Sequence, residues 1–333
     1  MIEYIKWLIM KKIVIFGGGS GLSQILKGLK LFPVNITAVV SVSDDGRSTG
    51  RLRQEMNIPA VGDITKVMVS MANINEDMTK LMNYRFTKSK SLGNHSVKNL
   101  LLTALLDIKG NFASSLPIME DILDIKNGKV LPLTEDSVHI IGITENGNQI
   151  VGEEQITASE EKIVRIIYDK PVTVNEKVFK AVNEADLIIF SSGSLHTSII
   201  PHLVCEDLTE AIVKSKAKKM YLCNLFTQPG ETDDFKVSDH VNMLEQYLGE
   251  GTIDLVVANS KTMSSALVEK YSVEEQKNPV VLDKDVLEEK GIYVISDKLY
   301  KIDEGVYRHD SLKTAYLIFS YLMEGKKWHL LHH

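Results

Sequence analysis

Short apolar runs rich in β-branched residues recur along the chain at 12–16, 36–42, 187–190, 219–223, 254–258 and 293–295. Each is too uniformly hydrophobic to keep one wet face, which marks strands buried on both sides of a parallel sheet. Between them apolar positions recur at helical spacing: Leu22, Ile25, Leu26 and Leu29 predict a helix over 22–31, and 99–106 reads the same way. Alternating strands and helices predict an α/β fold with a doubly wound, mostly parallel sheet and helices on both faces. From 128 to 171 the texture changes to alternation with turn signals. Asn146-Gly147-Asn148 lies between runs at 138–143 and 149–156, predicting a small antiparallel β insertion. The expected organisation is a single domain over 11–328, with that insertion at about 128–171 and an N-terminal extension at 1–10.

Composition narrows the class. Of 333 residues 44% are hydrophobic and 25% charged, the balance of a folded globular protein. The 38 basic and 44 acidic side chains leave a net charge of −6, which argues against nucleic acid as a partner. No apolar run approaches the roughly 20 residues of a membrane span. Residues 1–9 briefly look like a signal peptide, but Glu3 and Lys6 interrupt them and no cleavage site follows, making Met10 a candidate start. Cys205 and Cys223 are too few for a disulfide framework, so a reducing cytoplasm is expected. The nine histidines form no zinc spacing, and His329, His332 and His333 read as a frayed tail.

Candidate chemistry collects where strands end. Gly17-Gly18-Gly19-Ser20-Gly21 follows the first strand and opens a helix, so its amides suit a phosphate. Neither G-x-G-x-x-G nor the Walker pattern is present, which disfavours a dinucleotide and a Walker-type ATPase. The second strand exits through Asp44 and Asp45, suited to ribose hydroxyls or to magnesium, then Arg47, Arg51 and Arg53, suited to phosphate or carboxylate. Gly46-Arg47-Ser48-Thr49-Gly50 matches the nucleophile-elbow pattern, but its charged setting makes a serine hydrolase using Ser48 only a remote alternative. Gly62-Asp63 prepares a helix start, with Asp63 its expected N-cap or a ligand contact. His95 precedes an apolar helix, and a second small, hydroxyl-rich loop runs from Ser191 to Ser198. The run from Asn224 to Asp233 supplies another polar exit, and the four exits together suggest one shared cleft.

FGGGSGLSQILKGLK, DDGRSTGRLR, the GD of VGDI, HSVKNLLLTAL, SSGSLHTSIIP and CNLFTQPGETDDF together resemble the bacterial gluconeogenesis factors, the YvcK-like family. That family is related to the 2-phospho-L-lactate transferases, the CofD-like proteins. The likeness runs from about Lys11 to Arg308-His309-Asp310. It implies a Rossmann-like nucleotide-binding fold and a UDP-sugar ligand such as UDP-N-acetylglucosamine. It also implies a regulatory role in cell shape on gluconeogenic carbon sources, with no settled reaction. The transferase branch instead moves phospholactate from a guanosine diphosphate carrier onto a deazaflavin.

Carried over by motif position, the resemblance implicates Gly17 to Gly21, Asp44, Asp45, Gly62, Asp63, His95, Asn99, Gly193, Ser194, Thr197, Ser198, Asn224, Thr227 and Gln228, with Tyr271 and Arg308 farther on. Arg47, Ser48 and His196 complete the expected binding set. Asp45, Asp63 and His95 are the catalytic candidates should a transfer reaction occur. Departures include Ser20, Arg47, Thr65-Lys66, Asn94, Lys98, His196 and His202, and at Asn94 and Lys98 the family carries glycine. A second copy of the chain, cell-wall synthesis proteins or a kinase are the further partners open to it.

Overall fold

The computed structural model describes residues 10–89 and 91–324, and the backbone but not the side chain of Arg47. The expected extension up to residue 9 and the histidine tail lie outside the described residues. Seven strands form one parallel sheet: β1 (Lys11–Gly17), β2 (Val34–Val40), β3 (Gly128–Pro132), β7 (Leu187–Phe190), β8 (Lys218–Leu222), β9 (Leu255–Asn259) and β10 (Tyr293–Asp297). Their order is β10-β9-β8-β7-β1-β2-β3. The chain therefore winds outward in one direction from β1 to β3 and returns to start again at β7. The expected doubly wound fold is present, with its topological switch between β1 and β7.

Alternation within β1 builds both layers of the core. Ile13 and Ile15 join Leu22, Leu26, Ile64 and Met68 on one face. Val14 and Phe16 join Val178, Leu208 and Val241 on the other. These side chains are at most 1% exposed, so neither sheet face touches water and the strand must be apolar at every position.

The change of pattern at Gly128 has two parts. Gly128–Pro132 pairs with β2 in parallel and belongs to the main sheet. The antiparallel sheet is smaller, comprising β4 (Ile140–Thr144), β5 (Gln149–Val151) and β6 (Ile163–Tyr168) in the order β5-β4-β6. Asn146-Gly147 turns β4 into β5 as the sequence suggests, with Gly147 at φ 82°. The run expected at 149–156 breaks at Gly152 (φ 97°), after which Glu153–Thr157 is helical.

A further hairpin, β11 (Tyr300–Asp303) with β12 (Val306–His309), had no counterpart in the sequence reading. Its turn residues Glu304 and Gly305 both have positive φ, the geometry that matches strand twist in a two-residue turn. The last described helix, Ser311–Glu324, packs along the helix Ser20–Leu29. Among the described residues no helix is long and apolar enough to cross a membrane.

Gly28 is the point of closest approach between those two helices: a Cβ there would lie 2.0 Å from the Ser311 carbonyl oxygen and 2.9 Å from the Ala315 Cβ. Alanine favours an isolated helix over glycine by about 1 kcal/mol, yet Gly28→Ala is expected to destabilise the protein by about 1–3 kcal/mol through overpacking. Urea unfolding checks this, and an unchanged or raised midpoint would show that the helices can separate without cost.

Candidate functional site

In an open α/β sheet the crevice forms where neighbouring strands send their connections to opposite sides. Here that point lies between β1 and β7, which pair directly over four residues. Their exits are the glycine bend and the serine-rich bend, and the two touch. A Cβ on Gly21 would lie 1.6 Å from the Ser192 carbonyl oxygen, and one on Gly17 would lie 2.2 Å from Ser191 Oγ. Gly18 faces Ser198 in the same way, at 2.5 Å. These glycines therefore serve loop-to-loop contact as well as any approach by a ligand.

The first bend already holds an anion supplied by the chain. Gly19 N–H donates to Asp63 Oδ2 at 2.7 Å. Asp63 does not cap its helix: Gly62–Met71 starts after Val61, and the Asp63 carboxyl turns back toward the bend. Behind it, Asp44 accepts from Thr49 Oγ1 at 2.7 Å and from Gly46 N–H at 2.9 Å. The Asp44 carboxylate would come within 2.0 Å of a Cβ on Gly62, so glycine is needed there. Burial pushes the Asp63 pKa up to about 7, and the charge on Asp44 adds to the rise. Lys66 and the Gly19 amide pull in the opposite direction.

The second bend is filled similarly. Gly193 N–H donates to Asn224 Oδ1 at 2.8 Å and the Asn224 amide donates back to the Gly193 carbonyl at 2.7 Å. Ser194 Oγ donates to Glu231 Oε1 at 3.0 Å, and His196 N–H to the same oxygen at 2.6 Å. Burial raises the Glu231 pKa to about 7. Thr197 N–H donates to Ser194 Oγ, while Thr197 Oγ1 donates to Glu153 Oε1 at 3.4 Å. The His196 ring is 2% exposed and burial pushes it down to about 4, so it stays neutral. Thr227 and Gln228 hold the Asn224–Asp233 run together, pairing with Asn278 and Thr232.

The open volume lies beside these bends, at the exit of β2. A cavity of about 340 Å³ is lined by Asp44, Ser48, Thr49, Gly62, Asp63, Lys66, Arg85, Asn94, Lys98 and Asn99. Three cations and two carboxylates line it. Lys66 also donates to Ser20 Oγ, which brings the glycine bend to the rim. Asn94 adopts φ 63°, a conformation asparagine tolerates better than most residues, so the backbone keeps the shape a glycine would give. Lys98 stands in the first turn of Val97–Lys109, and burial lowers its pKa to about 8. Ser48 Oγ lies 2.8 Å from His95 Nδ1, and Asn99 Nδ2 donates to Ser48 Oγ at 3.4 Å.

Several expected contacts face elsewhere. Asp45 accepts from Glu154 N–H at 3.0 Å at the start of a short helix and does not line the cavity. Arg51 donates to the Gly93 carbonyl, and Arg53 is buried with a bond of 2.8 Å to the Val138 carbonyl. The Arg47 side chain lies outside the described residues. Tyr271 is 8% exposed, stacks on Phe226 at 4.6 Å and accepts from Tyr307 N–H. Arg308 is exposed on the β11–β12 hairpin, near Asp303. Among the described residues no group of three or more His, Cys, Asp or Glu side chains is arranged to hold a metal ion.

The sequence does not point to Lys66, Arg85, Lys98 or Glu153 as site groups, whereas Glu231 falls within the polar exit at 224–233. Lys66 was within reach of sequence reasoning, since it follows Asp63 by three positions and so shares its helix face. Arg85 and Glu153 come from separate segments and carry no local signal.

An acid whose folded pKa lies above its unfolded value binds more protons when folded, so it costs stability as pH rises from about 4 to about 7. Asp63→Asn keeps an acceptor for Gly19 without that charge. It is expected to raise stability at pH 8 by on the order of 1–2 kcal/mol, or several degrees, and to change it little at pH 4. Melting curves across this range check the sign. Equal shifts at both pH values would show that Asp63 is not ionising against burial.

The comparisons agree with this architecture. A model of the family described as 2-phospho-L-lactate transferase CofD matches residues 13–300. The Bacillus subtilis protein named "Gluconeogenesis factor" is 40% identical over 314 residues, covering 94% of this chain and 98% of its own. The Halalkalibacterium halodurans protein of the same name is 38% identical over 317 residues, covering 95% and 97%. A crystal structure from Bacillus halodurans, described as a member of the UPF0052 family, superposes with a TM-score of 0.88 at 38% identity, covering 92% of this chain and 99% of that one. The chain belongs to the CofD/UPF0052 family and, within it, to the gluconeogenesis factors.

Proposed function

We propose that the cleft binds a nucleoside-diphosphate sugar of the UDP-N-acetylglucosamine type, and that the protein acts through this binding as a regulator of cell shape on gluconeogenic carbon. The observation that carries the reading is the convergence of Lys66, Arg85 and Lys98 on one cavity beside the glycine bend. Cations at the carboxyl edge of a parallel sheet suit a diphosphate, and about 340 Å³ lies within the usual range for small-molecule sites. Ser48, Thr49, Asn94 and Asn99 supply neutral polar groups for sugar or ribose hydroxyls. Magnesium would find only Asp44 and Asp63 as carboxylates on the cavity wall.

One feature favours the family's transferase chemistry as a second reading. A carboxyl titrating near 7, as Asp63 does, is matched to proton transfer at neutral pH. In that reading Asp63 takes the proton of an acceptor hydroxyl as it attacks the phosphate. Turnover of a nucleotide diphosphate substrate, lost in Asp63→Asn, would select it over the regulator.

Binding is tested by melting the protein with UDP-N-acetylglucosamine, UDP-glucose, GDP, ATP and NAD. A ligand at about 100 times its Kd adds roughly 2.7 kcal/mol, a rise of about 5–10 °C. No rise with either uridine compound would end the UDP-sugar reading. The diphosphate of a UDP-sugar keeps its charge between pH 6.5 and 8.5, whereas Asp63 gains a negative charge near 7 and Lys98 loses a positive one near 8. Affinity is therefore expected to fall across that interval. Lys98→Met should weaken binding at pH 6.5 by about tenfold, and titration calorimetry at both pH values measures each effect.

A further inference from the structure

The contact between Ser48 and His95 plays no part in the binding reading. Ser48 lines the cavity and His95 lies behind it, 6% exposed, with Ser48 Oγ and His95 Nδ1 2.8 Å apart. Two further residues flank the serine hydroxyl. Thr65 Oγ1 lies 2.7 Å from Asn99 Oδ1 and 3.0 Å from the Gly62 carbonyl, and with Asn99 Oδ1 facing Thr65 the Asn99 amide faces Ser48 Oγ at 3.4 Å. In the tautomer protonated on Nε2, His95 Nδ1 accepts the serine hydrogen. The imidazole is held in place by its own backbone, whose N–H donates to the Leu92 carbonyl at 2.9 Å and whose carbonyl accepts from Phe86 N–H at 3.1 Å.

Burial lowers the His95 pKa; Glu55 opposes that shift, while Arg51 and Arg85 add to it. The shift favours the neutral ring, the form that can accept a proton. Lys66, Arg85 and Lys98 face the same cavity. Ser48 is the second residue of the helix Arg47–Met56, where first-turn amides have no partner within the helix and can meet a developing negative charge.

We propose that Ser48 and His95 are a nucleophile–base pair, and that the cleft catalyses phosphoryl transfer from an anionic phosphate ester or anhydride through Ser48. In the step, Ser48 Oγ attacks phosphorus and its proton passes to His95 Nδ1. The new O–P bond forms as the P–O bond to the leaving group breaks; the departing oxygen takes the electron pair, its charge met by Lys66 and Lys98, and then the proton from His95. Water next attacks the phosphoserine and gives a proton to the neutral His95, the Oγ–P bond breaks with its electron pair on the serine oxygen, and that oxygen regains the proton from His95 as inorganic phosphate leaves. The pair needs no particular nucleotide, so the inference stands apart from the choice of sugar nucleotide.

The test uses diisopropyl fluorophosphate on the full chain, where Ser48 Oγ displaces fluoride from phosphorus. Peptide mass spectrometry is expected to find one modification, on Ser48, formed much faster in the native protein than in the urea-unfolded chain. Ser48→Ala should abolish it, and His95→Gln should slow it by roughly 100-fold or more at an unchanged melting temperature. The native rate should rise with pH and level off below the ordinary imidazole range, following His95. Modification of Ser48 no faster than in the unfolded chain would overturn the proposal, as would a pH-independent rate or an unaltered rate in a folded His95→Gln protein.

Discussion

Two strand exits can lie in contact only if nothing protrudes between them, and the rest of this site follows from that constraint. Gly21 rests against the Ser192 carbonyl and Gly17 against Ser191, so β1 and β7 deliver their bends to one wall. The sheet order makes the meeting possible, because β1 and β7 are neighbours whose connections depart in opposite directions. Once the bends touch, the helix starting at Gly62 and the β2 exit are drawn in against them. Glycine at position 62 then admits the Asp44 carboxylate. The cavity is what remains between the β2 exit and the segment carrying Asn94 and Lys98.

Electrostatics at this wall follow from backbone amides seeking acceptors. Amides gathered at a bend need a negative partner, and the chain itself provides one for each bend. Asp63 meets Gly19, and Glu231 meets Ser194 and His196. Both carboxyls pay in desolvation, which is why both are raised to about 7. Lys66, Arg85 and Lys98 line the cavity beside Asp63, and Lys66 also reaches Ser20 of the glycine bend.

The two glycine-to-polar departures show how local geometry and chemistry separate. Asn94 keeps the left-handed backbone that glycine would adopt, so the segment's path does not change. Lys98 stands at a helical position where no unusual backbone is required, and its side chain adds a cation to the cavity while donating to Asn83. The departures alter what the wall offers a ligand and leave its course intact.

The sequence by itself determined the parallel sheet, because strands with no wet face announce themselves as unbroken apolar runs. It also determined the glycine bend, since four glycines in five residues after a strand have few other uses. The motif resemblance brought in the family. The β11–β12 hairpin leaves no periodic signal because its strands are four residues long, and the strand at Gly128–Pro132 reads like its antiparallel neighbours because an edge strand and an antiparallel strand look alike in isolation. Only the tertiary structure decided which polar groups remain available. Gly19 meets Asp63 from 44 residues away, Gly193 meets Asn224 from 31, and Ser194 meets Glu231 from 37. Whether an amide faces a ligand or a carboxylate of its own chain depends on such long-range closures, and one-dimensional spacing carries no record of them.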